Sequence, residues 1–224
     1  MSKQVAKQRQ EASVQEALSK SEQFFSTYKN LLLYGALGII VLFGLGFAWQ
    51  KLYREPKKEE AMGQMFQAEQ AFSNDRFEIA LYGDGNILGF TQIADEYGAL
   101  AGKAIHFYIG VCYLQLGDFQ SAIDALTKYS GKDFIIKARA YCCIGDAYVG
   151  LNDLKKAEEF YLKAARYHDN PLAAIYLQKA AIINEEVGAS DRAISLYQEI
   201  KEKYPQTPQA IEADKYIARL KVSE

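Results

Sequence analysis

The sequence of 224 residues has few of the residues that mark disulfide-rich or nucleic-acid-binding proteins. Its three cysteines, Cys112, Cys142 and Cys143, are too few and odd in number for a disulfide framework. We expect them to fill buried helix faces as free thiols, and one disulfide from Cys112 is the alternative. Free thiols favour a reducing compartment. The net charge of −2, with no basic stripe, argues against nucleic acid as a partner.

Histidine is also scarce, and no catalytic constellation stands out. His106 and His168 are the two histidines, and neither has the spacing of a paired metal ligand. Adjacent helical residues point about 100° apart, so Cys142 and Cys143 make poor co-ligands. We therefore predict no catalytic residue, no metal, no cofactor and no small-molecule substrate, which means that the chain is not an enzyme.

One long hydrophobic run is present, LLLYGALGIIVLFGLGFAW at residues 31–49. A helix of this length spans roughly 28 Å, close to the thickness of a bilayer core. Tyr34 and Trp49 stand near its ends, where interfacial aromatics are common. The run is too long and uniformly apolar for a buried core helix, and no small-residue cleavage site follows it. We predict a retained transmembrane helix over residues 31–50.

The flanks of this helix are polar. Residues 1–30 form a polar tail and residues 51–60, KLYREPKKEE, form a charged linker. Positive residues stand on both sides, slightly more of them just after the run, so charge alone does not fix the orientation. Within the helix, Gly44 and Ala48 make a small-xxx-small pair that can seat a partner helix.

From residue 61 onward the apolar residues recur at helical spacing. Residues 61–102 are predicted to form a degenerate helical repeat whose second helix is interrupted by a loop at 83–89. The glycines of this loop have neither the spacing nor the preceding strand of a phosphate-binding loop, so we expect a kink or insertion. The residues that follow helical spacing in the first helix are Met62, Met65, Phe66, Glu69 and Phe72, and Ala61, Ala68 and Ala71 are predicted to be its small packing residues.

A phrase that begins Tyr108-Ile-Gly recurs 35 residues later as Cys143-Ile-Gly, and a looser copy begins at Ala180. Self-similarity at this period is the signature of a helical repeat array, and such arrays mostly bind other proteins. We predict three repeats over residues 103–205. Their internal turns are expected at Gly117, Asn152 and Gly188, because Gly and Asn adopt the left-handed conformation that ends a helix.

Residues 206–224 are predicted to form a capping helix with one wet face, as a solenoid needs for solubility. Thr207 can cap this helix and Pro208 can occupy its first position. Its apolar side is predicted to consist of Ala210, Ile211, Tyr216, Ile217 and Leu220.

These patterns resemble the tetratricopeptide repeat, whose first helix carries an aromatic residue, a Leu-Gly pair and a Tyr. The matching residues are Tyr141, Ile144-Gly145 and Tyr148 in the middle copy, and His106, Ile109-Gly110 and Tyr113 in the copy before it. The resemblance implies an all-α fold, with one transmembrane helix followed by a tetratricopeptide solenoid. His106 then stands at a normally aromatic position, where we expect a packing role.

The same resemblance implies a protein-binding groove lined by the first helix of each repeat. Carried onto this chain, its positions are Phe107, Val111, Leu114, Gln115, Arg139, Cys142, Asp146, Gln178, Ile182 and Glu185. The set mixes apolar and polar residues and lacks the basic cluster that clamps a C-terminal carboxylate. Whether this groove is open or filled by residues 77–98 stays open at this point.

The whole layout resembles the YfgM-type ancillary subunit of the bacterial Sec translocon, in a version similar to that of the Bacteroidota. The resemblance implies a scaffold in the bacterial inner membrane, with its short tail in the cytoplasm and its repeats in the periplasm. The implied partners are the lipid bilayer, a SecYEG-type translocon and a membrane-anchored periplasmic chaperone. The alternatives are a cytosol-facing receptor or adaptor for soluble proteins and an envelope assembly factor independent of the translocon.

Overall fold

The computed structural model describes residues 19, 26–31, 33–35 and 37–222, and the chain divides into two units. The first unit is Met1–Pro56 and the second is Lys57–Glu224. The described residues contain helices and no strand, apart from one isolated antiparallel bridge between Gly83 and Leu88. The prediction of an all-α fold is therefore confirmed.

The first unit contains the apolar run. Within the described residues, one helix, Ser26–Ser73, is long and apolar enough to cross a membrane. Its most apolar 18-residue window has a mean hydropathy of 2.3, and none of that window is buried. Length and composition alone identify this helix as a candidate membrane span. A signal sequence near an N-terminus meets the same two criteria. The predicted polar tail lies mostly outside the described residues, as do Leu32 and Ala36 of the predicted span.

The charged stretch 51–60, predicted as a linker, is helical. Gln50–Arg54 form a π-helical turn, and the first α-helix, α1, follows as Glu55–Ser73. Pro56 is the second residue of α1, and the π-helical turn directly before this helix is a local departure from regular α-helical hydrogen bonding, in which a residue without an N–H can be accommodated. These residues are therefore helical, and their role as a linker stays a prediction.

Helical hairpins build the second unit. After α1, its helices are α2 (Phe77–Tyr82), α3 (Phe90–Tyr97), α4 (Ile105–Gln115), α5 (Phe119–Lys128), α6 (Phe134–Gly150), α7 (Leu154–Tyr167), α8 (Ala173–Glu186), α9 (Ser190–Lys203) and α10 (Pro208–Val222). A single turn of 3₁₀-helix, Gly98–Ala101, follows α3. The hairpins α4–α5, α6–α7 and α8–α9 coincide with the three predicted repeats.

The turns inside these hairpins have the backbone that their sequences predict. Gly117, Asn152 and Gly188 have φ angles of 81°, 58° and 74°, in the left-handed region that favours Gly and Asn. The next helix is then capped by an aspartate in the first two hairpins. The Asp118 and Asp153 carboxylates each accept a hydrogen bond, of 3.2 Å, from the backbone N–H three residues on.

The amino-terminal part of the second unit packs its small residues inward. In α1, Ala61, Ala68 and Met65 are buried, whereas Met62 and Phe66 are 54% and 62% exposed. The predicted packing role of Ala61 and Ala68 is therefore confirmed, whereas Met62 and Phe66 lie outside the buried face despite their helical spacing. Alanine lets neighbouring helices approach closely, so the buried face follows the alanines and leaves two bulky residues outside.

The loop between α2 and α3 is ordered by its own hydrogen bonds. The Asp84 carboxylate accepts from the backbone N–H groups of Asn86, at 2.9 Å, and Ile87, at 3.1 Å. These bonds lower the pKa of Asp84. The Thr91 hydroxyl donates to the Leu81 carbonyl at 2.7 Å, which ties α3 back to α2. This is an ordered turn between two short helices; the assignment of residues 61–102 to a degenerate repeat stays a prediction.

The capping helix α10 begins as predicted. Thr207 Oγ1 accepts a hydrogen bond of 3.3 Å from the Ala210 backbone N–H, and Pro208 is the first residue of the helix. Ile211 is 76% exposed, so its predicted place on the apolar side is wrong. The buried side of α10 consists of Ala210, Ala213, Ile217 and Leu220.

The three cysteines are free and buried, as predicted. Burial raises the pKa of Cys112 and of Cys142 to about 12, and that of Cys143 to about 11. Neutral thiols of this kind are poor nucleophiles and poor metal ligands. They contribute to the core as small apolar side chains.

Candidate functional site

The predicted groove is built on α4, α6 and α8, the first helices of the three hairpins. On α4, Phe107, Val111 and Leu114 are half-buried against the core that α5 and α6 share. Gln115 is exposed at the end of this helix. The α4 side of the groove is therefore apolar and partly engaged by the next repeat.

On α6, the three predicted positions have three different environments. Arg139 is exposed, Asp146 is half-buried, and Cys142 is 6% exposed. Cys142 belongs to the core that α6–α10 share, so it does not line a surface, which corrects its predicted role.

On α8, Gln178 and Glu185 are half-buried, and Ile182 is 49% exposed. Ile175 stands two helical turns before Ile182 and is 37% exposed. The α8 side of the groove therefore presents an accessible apolar surface flanked by polar groups.

Asp146 links two repeats. Its Oδ1 accepts a hydrogen bond of 2.6 Å from the Tyr161 hydroxyl on α7 and one of 2.5 Å from Lys179 Nζ on α8. Burial and the bond to Asp146 raise the pKa of Tyr161 well above its usual value. Burial disfavours the charged form of Lys179, but the neighbouring Cys142 and Asp146 more than offset it and raise its pKa.

Glu185 makes a similar link one repeat further on. Its Oε1 accepts a hydrogen bond of 2.7 Å from the Tyr197 hydroxyl on α9, and its Oε2 pairs with Arg219 on α10. Burial and this hydrogen bond raise the pKa of Tyr197 above its usual value. We call the Asp146 and Glu185 assemblies the carboxylate bridges.

The carboxylate bridges determine which charged side chains along the predicted groove are already paired within the protein. Sequence reasoning found Asp146 and Glu185 but missed Tyr161, Lys179 and Arg219, because their partners lie 15, 33 and 34 residues away, respectively. Lys179 and Arg219 are engaged by carboxylates of the neighbouring repeat. A C-terminal carboxylate of a peptide would therefore compete with Asp146 or Glu185 for these cations.

Residues 77–98 do not cover the apolar positions on α4. Leu81 and Ile93, from α2 and α3, join a core with Ile105 and Cys112 of α4. Phe107, Val111 and Leu114 belong instead to the core shared with α5 and α6. The inserted segment thus packs on another part of the surface of α4.

A polar cleft of about 460 Å³ lies where α3, α4 and α5 meet. His106 lines it, half-buried, together with Tyr82, Tyr113 and Lys128. Burial and the positive charge of Lys128 lower the pKa of His106. No group of three or more His, Cys, Asp or Glu side chains is arranged to hold a metal ion in the part of the chain that is described.

Gly44 and Ala48 lie in the first unit. No heavy atom lies within 4 Å of the position that a Cβ on Gly44 would take, once its chain neighbours and own helix backbone are set aside. Ala48 is half-buried. Their role as a seat for a partner helix stays a prediction.

Sequence comparisons identify the hairpins. A sequence model of the family described as tetratricopeptide repeat matches residues 138–167, and a second model of the same description matches residues 104–132 and 173–207. The chain contains tetratricopeptide repeats. These repeats typically form non-enzymatic surfaces for binding proteins. No curated protein matches the chain.

Proposed function

We propose that this chain is a membrane-tethered scaffold, an accessory subunit of a Sec-type translocon that works with a membrane-anchored periplasmic chaperone. The observation that carries the proposal is one chain with an apolar helix near its N-terminus and three tetratricopeptide repeats after it. In this proposal residues 31–50 span the bacterial inner membrane. The short tail is cytoplasmic and the repeats are periplasmic.

The free thiols do not oppose a periplasmic location. All three are buried, and burial keeps them neutral at physiological pH. A thiol reacts as its thiolate, so these side chains resist oxidation in either compartment. The preference of free cysteines for a reducing compartment therefore carries little weight here.

A second candidate is a cytosol-facing adaptor for soluble proteins. Lys51, Arg54, Lys57 and Lys58 follow the apolar run closely, and positive residues beside a membrane helix favour its cytoplasmic side. Long domains translocate with little regard to charge, so we rank this candidate second. An envelope assembly factor independent of the translocon would also have its repeats in the periplasm, but it would bind different partners.

Topology is tested by labelling an introduced cysteine. The native cysteines are unsuitable because they are buried, whereas Lys155 is exposed on α7. We expect Lys155→Cys to react with a membrane-impermeant maleimide in cells whose outer membrane alone is permeabilised. Labelling that requires lysis of the inner membrane would establish the cytosol-facing adaptor instead. The unsubstituted chain is the control for background labelling.

Partners are tested by crosslinking mass spectrometry on native membranes. We expect crosslinks from the repeats to translocon subunits and to a periplasmic chaperone, and we expect Ile182→Glu to reduce them. Ile211→Glu is the matched control, since Ile211 is an exposed isoleucine outside the predicted groove. Crosslinks to other envelope proteins alone, unchanged by Ile182→Glu, would contradict the translocon assignment.

A further inference from the structure

Lysine and tyrosine side chains gather at one end of the middle repeat. Helices α6 and α7 are antiparallel, so the start of α6 and the end of α7 lie at the same end of the hairpin. The link from the first repeat, which begins at Tyr129, arrives there too. We call this region the basic-aromatic end; it comprises Tyr129, Lys137, Tyr141, Lys163, Arg166 and Tyr167.

Two ammonium groups share one aromatic ring in this region. Lys137 Nζ lies 5.2 Å, and Lys163 Nζ 4.5 Å, from the centroid of the Tyr141 ring. Lys137 also donates a hydrogen bond of 2.7 Å to the Tyr129 carbonyl. The Tyr167 ring completes the group, with its centroid 5.6 Å from that of Tyr141.

No carboxylate neutralises these ammonium groups. Within the described residues, neither Lys137 nor Lys163 belongs to an ion pair. Burial and the charge of Lys163 lower the pKa of Lys137. The like charges of these two lysines repel each other, and a bound anion beside them would offset that repulsion.

A cleft of about 530 Å³ lies along α7, and of the two lysines Lys163 lines it. Glu159 and Leu162 line it together with Lys163, Arg166 and Tyr167. Glu159 is the single acidic residue among them. Its carboxylate oxygens lie more than 4 Å from the side-chain nitrogens of Lys163 and Arg166. The cleft thus combines two cationic side chains with aromatic and aliphatic surface.

We propose that the basic-aromatic end binds an acidic segment of a partner protein, with Asp or Glu side chains entering the cleft beside Lys163 and Arg166, next to Lys137. Tyrosine is enriched at the centres of protein interfaces, where its ring packs and its hydroxyl bonds. An anionic lipid surface fits less well, because these ammonium groups lie over rings instead of projecting. The net charge of −2 of the chain also disfavours such a surface. This assignment rests on the proposed function as a protein-binding scaffold.

The test is fluorescence anisotropy with the full chain in neutral detergent. The probe is a short labelled peptide in which Glu alternates with Leu, and the comparison peptide has Gln in place of Glu. We expect the Glu peptide to bind at least about tenfold more tightly, and added salt to weaken it. Equal binding of the two peptides, or no binding of the Glu peptide, would overturn the proposal.

Variants locate the binding site. Lys137→Gln combined with Lys163→Gln should weaken binding of the Glu peptide about tenfold or more, since each removes an ammonium group. Lys163→Glu alone should do the same, and Lys163 is exposed, so this substitution spares the core. Lys155→Gln, on the same helix, is the control and should stay within about twofold. An unchanged affinity in Lys163→Glu would overturn the assignment.

Competition separates a peptide from a lipid. If short-chain phosphatidylglycerol binds more tightly than the Glu peptide, and Lys163→Glu abolishes that binding, the region recognises lipid headgroups and the proposal is wrong. The translocon crosslinks are read separately. If the translocon crosslinks are found but the peptide assay fails, the proposed function stands and the acidic-segment proposal is wrong. If the peptide assay succeeds but the crosslinks are missing, only the assignment to the translocon is wrong.

Discussion

The amino-terminal helices α1–α4 and the carboxyl-terminal helices α6–α10 are held together by different contacts. Around α1–α4 the contacts are aromatic: Phe90 stacks on Tyr108 with ring centroids 5.0 Å apart, and Phe72 meets both rings edge-on. Around α6–α10, the bridges at Asp146 and Glu185 join neighbouring repeats. The packing of the first region depends on how its aromatic rings fit together. The packing of the second region also depends on buried polar groups that need hydrogen-bond partners.

The difference bears on how each region can move. Apolar surfaces tolerate small shifts, because dispersion and hydrophobic contacts have little directionality. A hydrogen-bonded carboxylate is satisfied in few geometries, so the carboxylate bridges fix the register between repeats. The α8 side of the groove, where Ile182 is accessible, is therefore held in place by the preceding repeat and by the capping helix α10.

The largest effect should follow from removing the central aromatic ring of the amino-terminal region. Phe90 is fully buried, so Phe90→Ala should lower the free energy of unfolding by about 3–5 kcal/mol. Chemical denaturation of the full chain measures it. Hydrogen exchange should rise in α1–α4 and change little in α8–α10, because a repeat contacts only its neighbours.

Phe66→Ala is the matched control for Phe90→Ala. Phe66 is 62% exposed on α1, and its truncation should change the unfolding free energy by less than about 0.5 kcal/mol. Equal effects of the two substitutions would mean that aromatic packing does not hold this region.

Removing a carboxylate bridge should have the next largest effect. Asp146→Ala leaves the Tyr161 hydroxyl and Lys179 without their shared acceptor and should cost about 2–3 kcal/mol. In contrast to Phe90→Ala, the loss should raise hydrogen exchange in α7 and α8. Thermal denaturation with peptide-level exchange distinguishes the two patterns.

An exposed ion pair is the control for Asp146. Asp214 pairs with Lys201, but its side chain is 73% exposed, so Asp214→Ala should cost at most about 1 kcal/mol. If Asp214→Ala costs as much as Asp146→Ala, burial and the tyrosine hydroxyl do not distinguish the bridge from a surface pair.

Whether a structural feature could be predicted from the sequence depended on how far apart along the chain the contacting residues lie. Local features were predictable: Gly117 and Asn152 needed the left-handed backbone, and Thr207 needed only a free helix end. For α1 the packing role of Ala61 and Ala68 was predictable, but helical spacing alone did not show that Met62 and Phe66 lie outside the buried face.

The polar chemistry was the least predictable part of the candidate site. Asp146 was placed in the groove, but nothing local to it indicates that Tyr161 and Lys179 converge on one of its oxygens. That contact depends on how successive hairpins are stacked, and the repeat period alone does not give this register. Cys142 was misplaced for the same reason, since its burial comes from the following repeat.

Close helix approach provides a smaller test within the repeats. A Cβ added to Gly145 would lie 2.6 Å from ring atoms of Tyr161, so Gly145→Ala should cost about 1–3 kcal/mol and displace the ring from Asp146. Gly63→Ala is the control on α1, where a new Cβ meets no neighbouring heavy atom within 4 Å. It should stabilise α1 by about 0.5–1 kcal/mol, because alanine favours helix over glycine. A stabilising Gly145→Ala would contradict the tight α6–α7 contact.

The smallest effect should come from a single buried thiol. Burial alone raises the pKa of Cys112 to about 12, whereas an unfolded cysteine ionises near pH 8.5. Above pH 8.5 the unfolded chain loses this proton and the native chain keeps it, so the free energy of unfolding falls as pH rises. From pH 7.5 to 9 the loss should be about 0.8 kcal/mol for this thiol.

Cys112→Ala should remove the part of the loss in unfolding free energy that this thiol causes. Denaturation at the two pH values measures it as the difference between the variant and the unsubstituted chain. Cys142 extends the comparison to the other region, because its pKa is raised by burial and also by Asp146. Because the native thiol stays neutral between pH 7.5 and pH 9, Cys142→Ala should remove a similar loss, and Asp146→Ala should leave both contributions almost unchanged. Equal alkaline slopes with and without Cys112 would mean that this thiol is not held neutral in the native chain.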